Sequence, residues 1–155
     1  FVDNAALQIV LNPKQFDVIL TENLFGDIIS DEASVISGSI GLLASSSIGE
    51  KTAMFEPIHG TYPQAKGKDI ANPLASILSA AMLLEHFGLQ EEADAIKRAL
   101  EKSLTLGITT EDIKGKNQYS ASTSKVGGFI ADYILNQEDS NMNFMNIHAG
   151  QSTII

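Results

Sequence analysis

"FDVILTENLFGDIISDEASVISG", residues 16 to 38, changes character halfway along. Residues 16 to 22, FDVILTE, form a compact apolar run between polar flanks, which predicts a buried strand. The part that follows, DIISDEASVISG, predicts a helix on which Ile28, Ala33, Val35 and Ile36 pack one side and Gly38 supplies the C-cap. A strand leading into a helix is the repeating unit of α/β folds. Asp27 and Asp31 stand four residues apart in this helix, so both carboxylates fall on one face. Spacing alone leaves two readings open. In the first, Asp27 caps the helix and Asp31 is solvated. In the second, the pair holds a hard cation such as Mg2+, which takes oxygen ligands and relieves the repulsion between neighbouring carboxylates. Asp3 is a candidate third ligand, but nothing in the spacing brings it near.

Upstream, "VDNAALQIVLNP" predicts a short helix capped by Asp3 or Asn4, with Ala6, Leu7, Val10 and Leu11 on its apolar side and Pro13 after its end. Downstream, "SGSIGLLASSSIGE" predicts a turn, a strand at Ile40 to Leu43 and a loop, and "TAMFEPIHG" predicts a second short strand stopped by Pro57 and Gly60. Residues 61 to 73 have loop composition. Asn72 and Pro73 open a helix, "LASILSAAMLLEHFG", that is apolar nearly all round, hence central, and Gly88 stops it. "LQEEADAIKRALEKSLTLG" is amphipathic, with Leu89, Ala93, Ile96, Leu100 and Leu104 on one stripe and charges running from acidic to basic. A polar connection leads to a last helix, "TSKVGGFIADYIL", and then to a polar tail from residue 136. "GEKT" at residues 49 to 52 lacks the adjacent Gly-Lys of a phosphate loop, and no G-x-G-x-x-G fingerprint occurs.

Composition narrows the function. The 155 residues are 44% hydrophobic, carry a net charge of −9 and include no cysteine. Disulfides and thiolate metal sites are therefore excluded. The acidic balance argues against a nucleic-acid partner, which needs Lys and Arg against phosphates. No apolar run approaches the ~20 residues of a membrane helix, so no membrane partner is expected. "EPIHGTYPQAKGKDIANP", residues 56 to 73, is a long loop entering a helix N-terminus, whose amides suit an anion or a nucleotide as readily as the segment suits a surface connection. His59 alone reads as a structural histidine, His86 as core packing or a C-terminal cap, and His148 receives no role.

The stretches "FDVILTENLFGDIISDEASVISGSIGLLASSSIG" and "FEPIHGTYPQAKGKDIANPLASILSAAMLLEHFG" together resemble the isocitrate/isopropylmalate dehydrogenase family, the metal-dependent β-decarboxylating dehydrogenases of 2-hydroxy acids. The resemblance runs from Phe1 to about Leu135. It implies the C-terminal part of that family's α/β fold, which binds its dinucleotide without the Rossmann fingerprint. Residues 1–37 would end the dimer-forming domain, 38–135 would be the later part of the nucleotide-binding domain, and 136–155 a tail.

The resemblance also implies ligands. Asp27 and Asp31 would hold Mg2+ or Mn2+ together with substrate oxygens, and Asp3 would reach the metal of the other subunit of a homodimer. Asp3 and Asp27 would serve catalysis as well as the metal. Glu56, His59, Gly60, Thr61, Gln64, Ile70, Ala71 and Asn72 would bind the adenosine end of NAD. Many NAD-using relatives place an aspartate where this chain has Gln64; Gln64-Ala65 offers no cation to a 2′-phosphate, so NAD is retained. Ala44 replaces a proline common in relatives.

Within the family the pattern is nearest the isopropylmalate branch. The expected reaction is oxidative decarboxylation of 3-isopropylmalate in leucine biosynthesis, in the cytoplasm. Isocitrate, homoisocitrate or tartrate as substrate, a non-catalytic regulatory subunit, and a stand-alone binding module are the alternatives. The family's acid-base lysine and tyrosine and its substrate arginines would lie before Phe1, so the chain is expected to be part of a longer protein, inactive by itself, with exposed apolar surface.

Overall fold

Five α-helices and one hairpin are the main elements of residues 1–116 and 118–136, the part of the chain that the computed structural model describes. The order is α1 (Val2–Leu11), α2 (Asn23–Ser37), β1 (Ala44–Ile48), β2 (Ala53–Pro57), α3 (Leu74–His86), α4 (Gln90–Thr105) and α5 (Thr123–Leu135). The chain is α/β, and helix-rich. β1 and β2 pair antiparallel, in register from Ala44 opposite Pro57 to Ile48 opposite Ala53. Residues 49–52, the rejected phosphate-loop stretch, are the hairpin turn, with the Gly49 amide donating to the Thr52 carbonyl at 2.9 Å. The tail 137–155, His148 included, lies outside the described residues.

α3 is central, as its all-round apolarity requires. It packs on α4 and on both strands. Leu74 at its start joins Ala99, Leu100, Val126, Phe129 and Ile130 in one buried cluster. The buried face of α4 is made mostly of small residues, Ala93, Ala95, Ala99 and Ser103 beside Leu100. The expected stripe therefore shifts, and Leu89 and Leu104 are exposed. Lys97 on α4 pairs with Glu85 on α3 across the outer edge.

Glycine ends α2 and α3 where the sequence placed the stops, at Gly38 and Gly88, and also ends α4 at Gly107. At Gly88 (φ 75°) the Leu89 amide reaches the Leu84 carbonyl and the Gly88 amide the Glu85 carbonyl, both at 2.9 Å. This is a Schellman closure, which needs the left-handed φ that only glycine adopts without cost. Gly107 (φ 70°) closes α4 the same way, through Ile108 to Ser103 and Gly107 to Leu104. Gly38 (φ 95°) ends α2 as expected.

Four expectations need correction. Residues 16–22 form no strand. Val18 and Leu20 are 88% and 97% exposed. Among the described residues the only sheet is the hairpin β1–β2, so this run has neither a ladder to join nor a face to cover it. Ile40–Leu42 is a 3-10 turn rather than a strand, because the Ser39 hydroxyl accepts from the Gly41 amide and curls the chain; the strand starts at Ala44. α1 begins before Asp3 or Asn4 can cap it: Phe1 is the N-cap residue, with no side-chain cap bond. Finally, the apolar sides chosen for α1 and α2 are largely open. Ile9 and Ile29 bury against each other's helices, while Leu7, Val10, Leu11, Ile28, Val35 and Ile36 are exposed.

Candidate functional site

α2 carries the two aspartates one turn apart, and both are exposed. Neither caps the helix. Glu22 is the N-cap residue, and Asp27 lies in the second turn. The Asn23 amide donates to Asp27 Oδ2 at 3.1 Å, which steadies that carboxylate along the helix. The two ion pairs among the described residues, Lys97–Glu85 and Lys114–Glu111, involve neither aspartate. Two water-facing carboxylates on one face, with no basic partner among those pairs, are a hard-oxygen donor set that fits Mg2+ or Mn2+. Asp3 sits in the first turn of α1, also exposed. Within one chain no three acidic or histidine side chains come together among the described residues, so Asp3 does not join the pair.

The loop from Glu56 to Asn72 ends against the 3-10 turn Ile40–Leu42, where a Cβ on Gly41 would lie 2.9 Å from Asn72. Glu56 is on β2, exposed, opposite Ser45. His59 Nδ1 lies 3.0 Å from the Gly60 carbonyl. That oxygen only accepts, so Nδ1 carries the hydrogen of this contact. Thr61 and Gln64 are exposed, Gln64 in the short turn Pro63–Ala65, and Ile70 is also exposed. His86 is not core; it is exposed at the end of α3, with its ring 5.5 Å from that of Phe55.

Two clamps that the sequence did not reveal hold the loop's end. Asp69 has φ 55°, the left-handed region that aspartate tolerates better than most residues. There its Oδ1 accepts from the Ser124 amide at 2.9 Å and from the Ser124 hydroxyl at 2.8 Å, at the start of α5. Its carbonyl accepts from the Thr123 amide at 3.0 Å, and the Thr123 hydroxyl donates to the Ala71 carbonyl at 2.5 Å. Chiefly because of the Ser124 amide, with the Ser124 and Ser122 hydroxyls, the Asp69 carboxyl lies below the usual range.

The second clamp is Asp112. Its Oδ2 accepts from Asn72 Nδ2 at 2.9 Å and from the Ser39 hydroxyl at 2.5 Å, and its Oδ1 accepts from the Thr110 hydroxyl at 2.6 Å. Burial pushes this carboxyl up, but the hydrogen bonds from Ser39, Thr110 and Asn72 outweigh it and hold the group low. Asn72 is thereby used twice, because its Oδ1 also accepts from the Leu74 amide at 3.0 Å. One free amide of the helix N-terminus is thus occupied by the loop itself. Asp112 stands in a polar connection with no motif around it, and Asp69 lies in a stretch that reads only as loop by composition.

The family described as isocitrate/isopropylmalate dehydrogenase matches residues 1–130. The chain is 54% identical over 134 residues to a 3-isopropylmalate dehydrogenase of Bacteroides fragilis, covering 86% of this chain and 38% of that protein. It is 56% identical over 135 residues to one of Wolinella succinogenes, with the same two coverages, 86% and 38%. The chain thus spans less than two fifths of the length of these relatives. Among solved structures it is similar to isocitrate dehydrogenase from Methylococcus capsulatus, with TM-score 0.81, 39% identity, and 86% and 39% of the two chains covered. It is also similar to a β-decarboxylating dehydrogenase from Thermococcus kodakarensis, with TM-score 0.76, 42% identity, and 87% and 39% covered.

Proposed function

The chain belongs to the isocitrate/isopropylmalate dehydrogenase family, and from that membership we propose that it is the metal- and nucleotide-holding part of a 3-isopropylmalate dehydrogenase. The reaction is oxidative decarboxylation of (2R,3S)-3-isopropylmalate to 4-methyl-2-oxopentanoate, with reduction of NAD, in leucine biosynthesis. The observation that carries the substrate is identity: over half of the aligned residues match relatives of that name. A related enzyme acting on isocitrate, homoisocitrate or tartrate draws support from the likeness to an isocitrate dehydrogenase structure, at a lower 39% identity.

Asp27 and Asp31 hold the divalent ion from one face of α2, with Asp3 supplied across a homodimer. A bound Mg2+ or Mn2+ contributes Lewis acidity toward the substrate's hydroxyl oxygen. The chain's own residues bind and orient: the two carboxylates fix the ion's place, and Glu56, His59, Gly60, Thr61, Gln64, Ile70, Ala71 and Asn72 line the path of the adenosine end of NAD. The exposed apolar residues of α1 and α2, Leu7, Val10, Leu11, Val35 and Ile36 among them, support a homodimer in which these helices are covered. The enzyme works in the cytoplasm on this reading, and the 155-residue chain alone turns over no substrate.

The test is a Mn2+ titration of the full-length dehydrogenase carrying this segment, read by NADH formation and by direct metal binding. Asp27→Asn and Asp31→Asn should each raise the half-saturating Mn2+ at least about tenfold, the equivalent of about 1.4 kcal/mol. Unchanged metal affinity in both variants refutes the assignment.

A further inference from the structure

We propose that Asp112, outside the nucleotide loop and far from it in sequence, is the positioning residue that sets the orientation of Asn72 for the nucleotide. The inference rests on the reading of residues 56 to 72 as the NAD loop. The argument begins with chemistry. An asparagine amide presents either its oxygen or its nitrogen to a given side, and the two are sterically alike. At Asn72 the choice is forced from both ends. The Asp112 carboxylate only accepts, so Nδ2 must face it; the Leu74 amide only donates, so Oδ1 must face that.

A third contact blocks escape. A Cβ placed on Gly41 would lie 2.9 Å from the Asn72 Cβ and from its Nδ2, so the backbone of the 3-10 turn already walls the side chain in. What remains uncommitted on the amide is one Nδ2 hydrogen and one Oδ1 lone pair, a donor and an acceptor side by side for a nucleotide to use.

Asp112 is itself held. Thr110, nearly fully buried, donates to its Oδ1. The neighbouring Thr109 carbonyl takes the Ala121 amide at 2.7 Å, anchoring this connection beside α5. The Ser39 hydroxyl donates to Oδ2 while accepting from the Gly41 amide at 3.0 Å. The carboxylate therefore joins the residue just past the end of the metal-bearing α2 to the last residue of the nucleotide loop. Charge-assisted bonds of this kind are the stronger class and gain from being networked.

The test is a double-mutant cycle in the full-length dehydrogenase, reading KM for NAD, kcat, and NADH affinity by fluorescence. Asp112→Asn should raise KM for NAD about fivefold to tenfold, with a smaller change in kcat, because it loosens binding rather than chemistry. In an Asn72→Ala background the same change should have almost no further effect on KM, since the two residues act as one unit. A merely structural aspartate would lower stability and leave the two effects additive. Additive effects, or an unchanged KM for NAD in Asp112→Asn, overturn the inference. Asp112→Glu, which keeps the charge but lengthens the arm, carries the same expectation where Asp112→Asn does not fold. Should Asn72→Ala itself leave KM for NAD untouched, the loop reading fails first, and Asp112 falls with it for that separate reason.

Discussion

Gly41→Ala is the sharpest single perturbation of this architecture, because one methyl group sets two opposing effects against each other. Gly41 is buried, and its φ is not among the positive ones, so alanine fits its backbone. On the chain alone the change should stabilise by about 0.4–1 kcal/mol, through lost freedom in the unfolded state. The added Cβ, however, would sit 2.9 Å from both Cβ and Nδ2 of Asn72 and 3.1 Å from its Cγ. Contacts that short force a shift. The tip of a free side chain would swing aside cheaply, but Asn72 is pinned by Asp112 at 2.9 Å and by the Leu74 amide at 3.0 Å. Moving it breaks one charge-assisted and one neutral hydrogen bond, together about 2–3 kcal/mol once water reclaims part of the loss. The net expectation is destabilisation of about 1–2 kcal/mol, with weaker NAD binding in the same variant. Urea denaturation measures the first and NADH fluorescence titration the second, both on the full-length dehydrogenase. A Gly41→Ala protein as stable as wild type, with unchanged NADH affinity, would show that Asn72 is not held as described.

Gly128→Ala should go the other way. Gly128 lies inside α5, with open space around a built Cβ, so alanine should add about 0.8–1 kcal/mol of helix propensity, visible as a raised urea midpoint; a lowered midpoint would mean that something packs there. The carboxyl of Asp69 predicts a pH dependence. Its folded pKa is lowered, so the unfolded chain takes up the proton first, and the stabilisation is whole above about pH 5 and lost as pH falls through the folded value. Asp69→Asn keeps a residue that accepts left-handed φ and removes the titration, so its stability should decline less steeply between about pH 5 and pH 2. An equally steep decline in the variant would place the acid sensitivity elsewhere.

What the sequence made legible is local. Helix ends at Gly38 and Gly88 follow from the positive φ that each closure demands, and those angles are 95° and 75°; Gly107, at 70°, closes α4 by the same rule though its sequence context does not mark it as a stop. The pairing of Asp27 with Asp31 follows from helical spacing once α2 is recognised. Spacing did not decide between a cap and a cation; the cap reading falls because α2 starts at Asn23, four residues before Asp27, and the cation is the proposal that remains. The misreadings share one cause. A run such as FDVILTE or the apolar side of α2 states that its surroundings must be apolar, and says nothing about which segment supplies them. Residues 16–22 look like a core strand in sequence and lie open in this chain for that reason. The same limit hid the clamps. Asp112 meets Asn72 across 40 residues and Ser39 across 73, distances over which no periodicity or motif operates. Asp69 lies in a stretch of loop composition, but its partners on α5 sit 55 residues on. A carboxylate that caps, clamps or binds metal is the same letter in a sequence. The three roles separate only when its donors are known. Asp69 and Asp112 already accept from amides and hydroxyls, whereas Asp27 accepts from one helix neighbour, Asn23, and neither it nor Asp31 is in an ion pair among the described residues. On the proposed function, a divalent ion would therefore be taken by the water-facing pair on α2 rather than by Asp69 and Asp112, whose oxygens already accept from amides and hydroxyls.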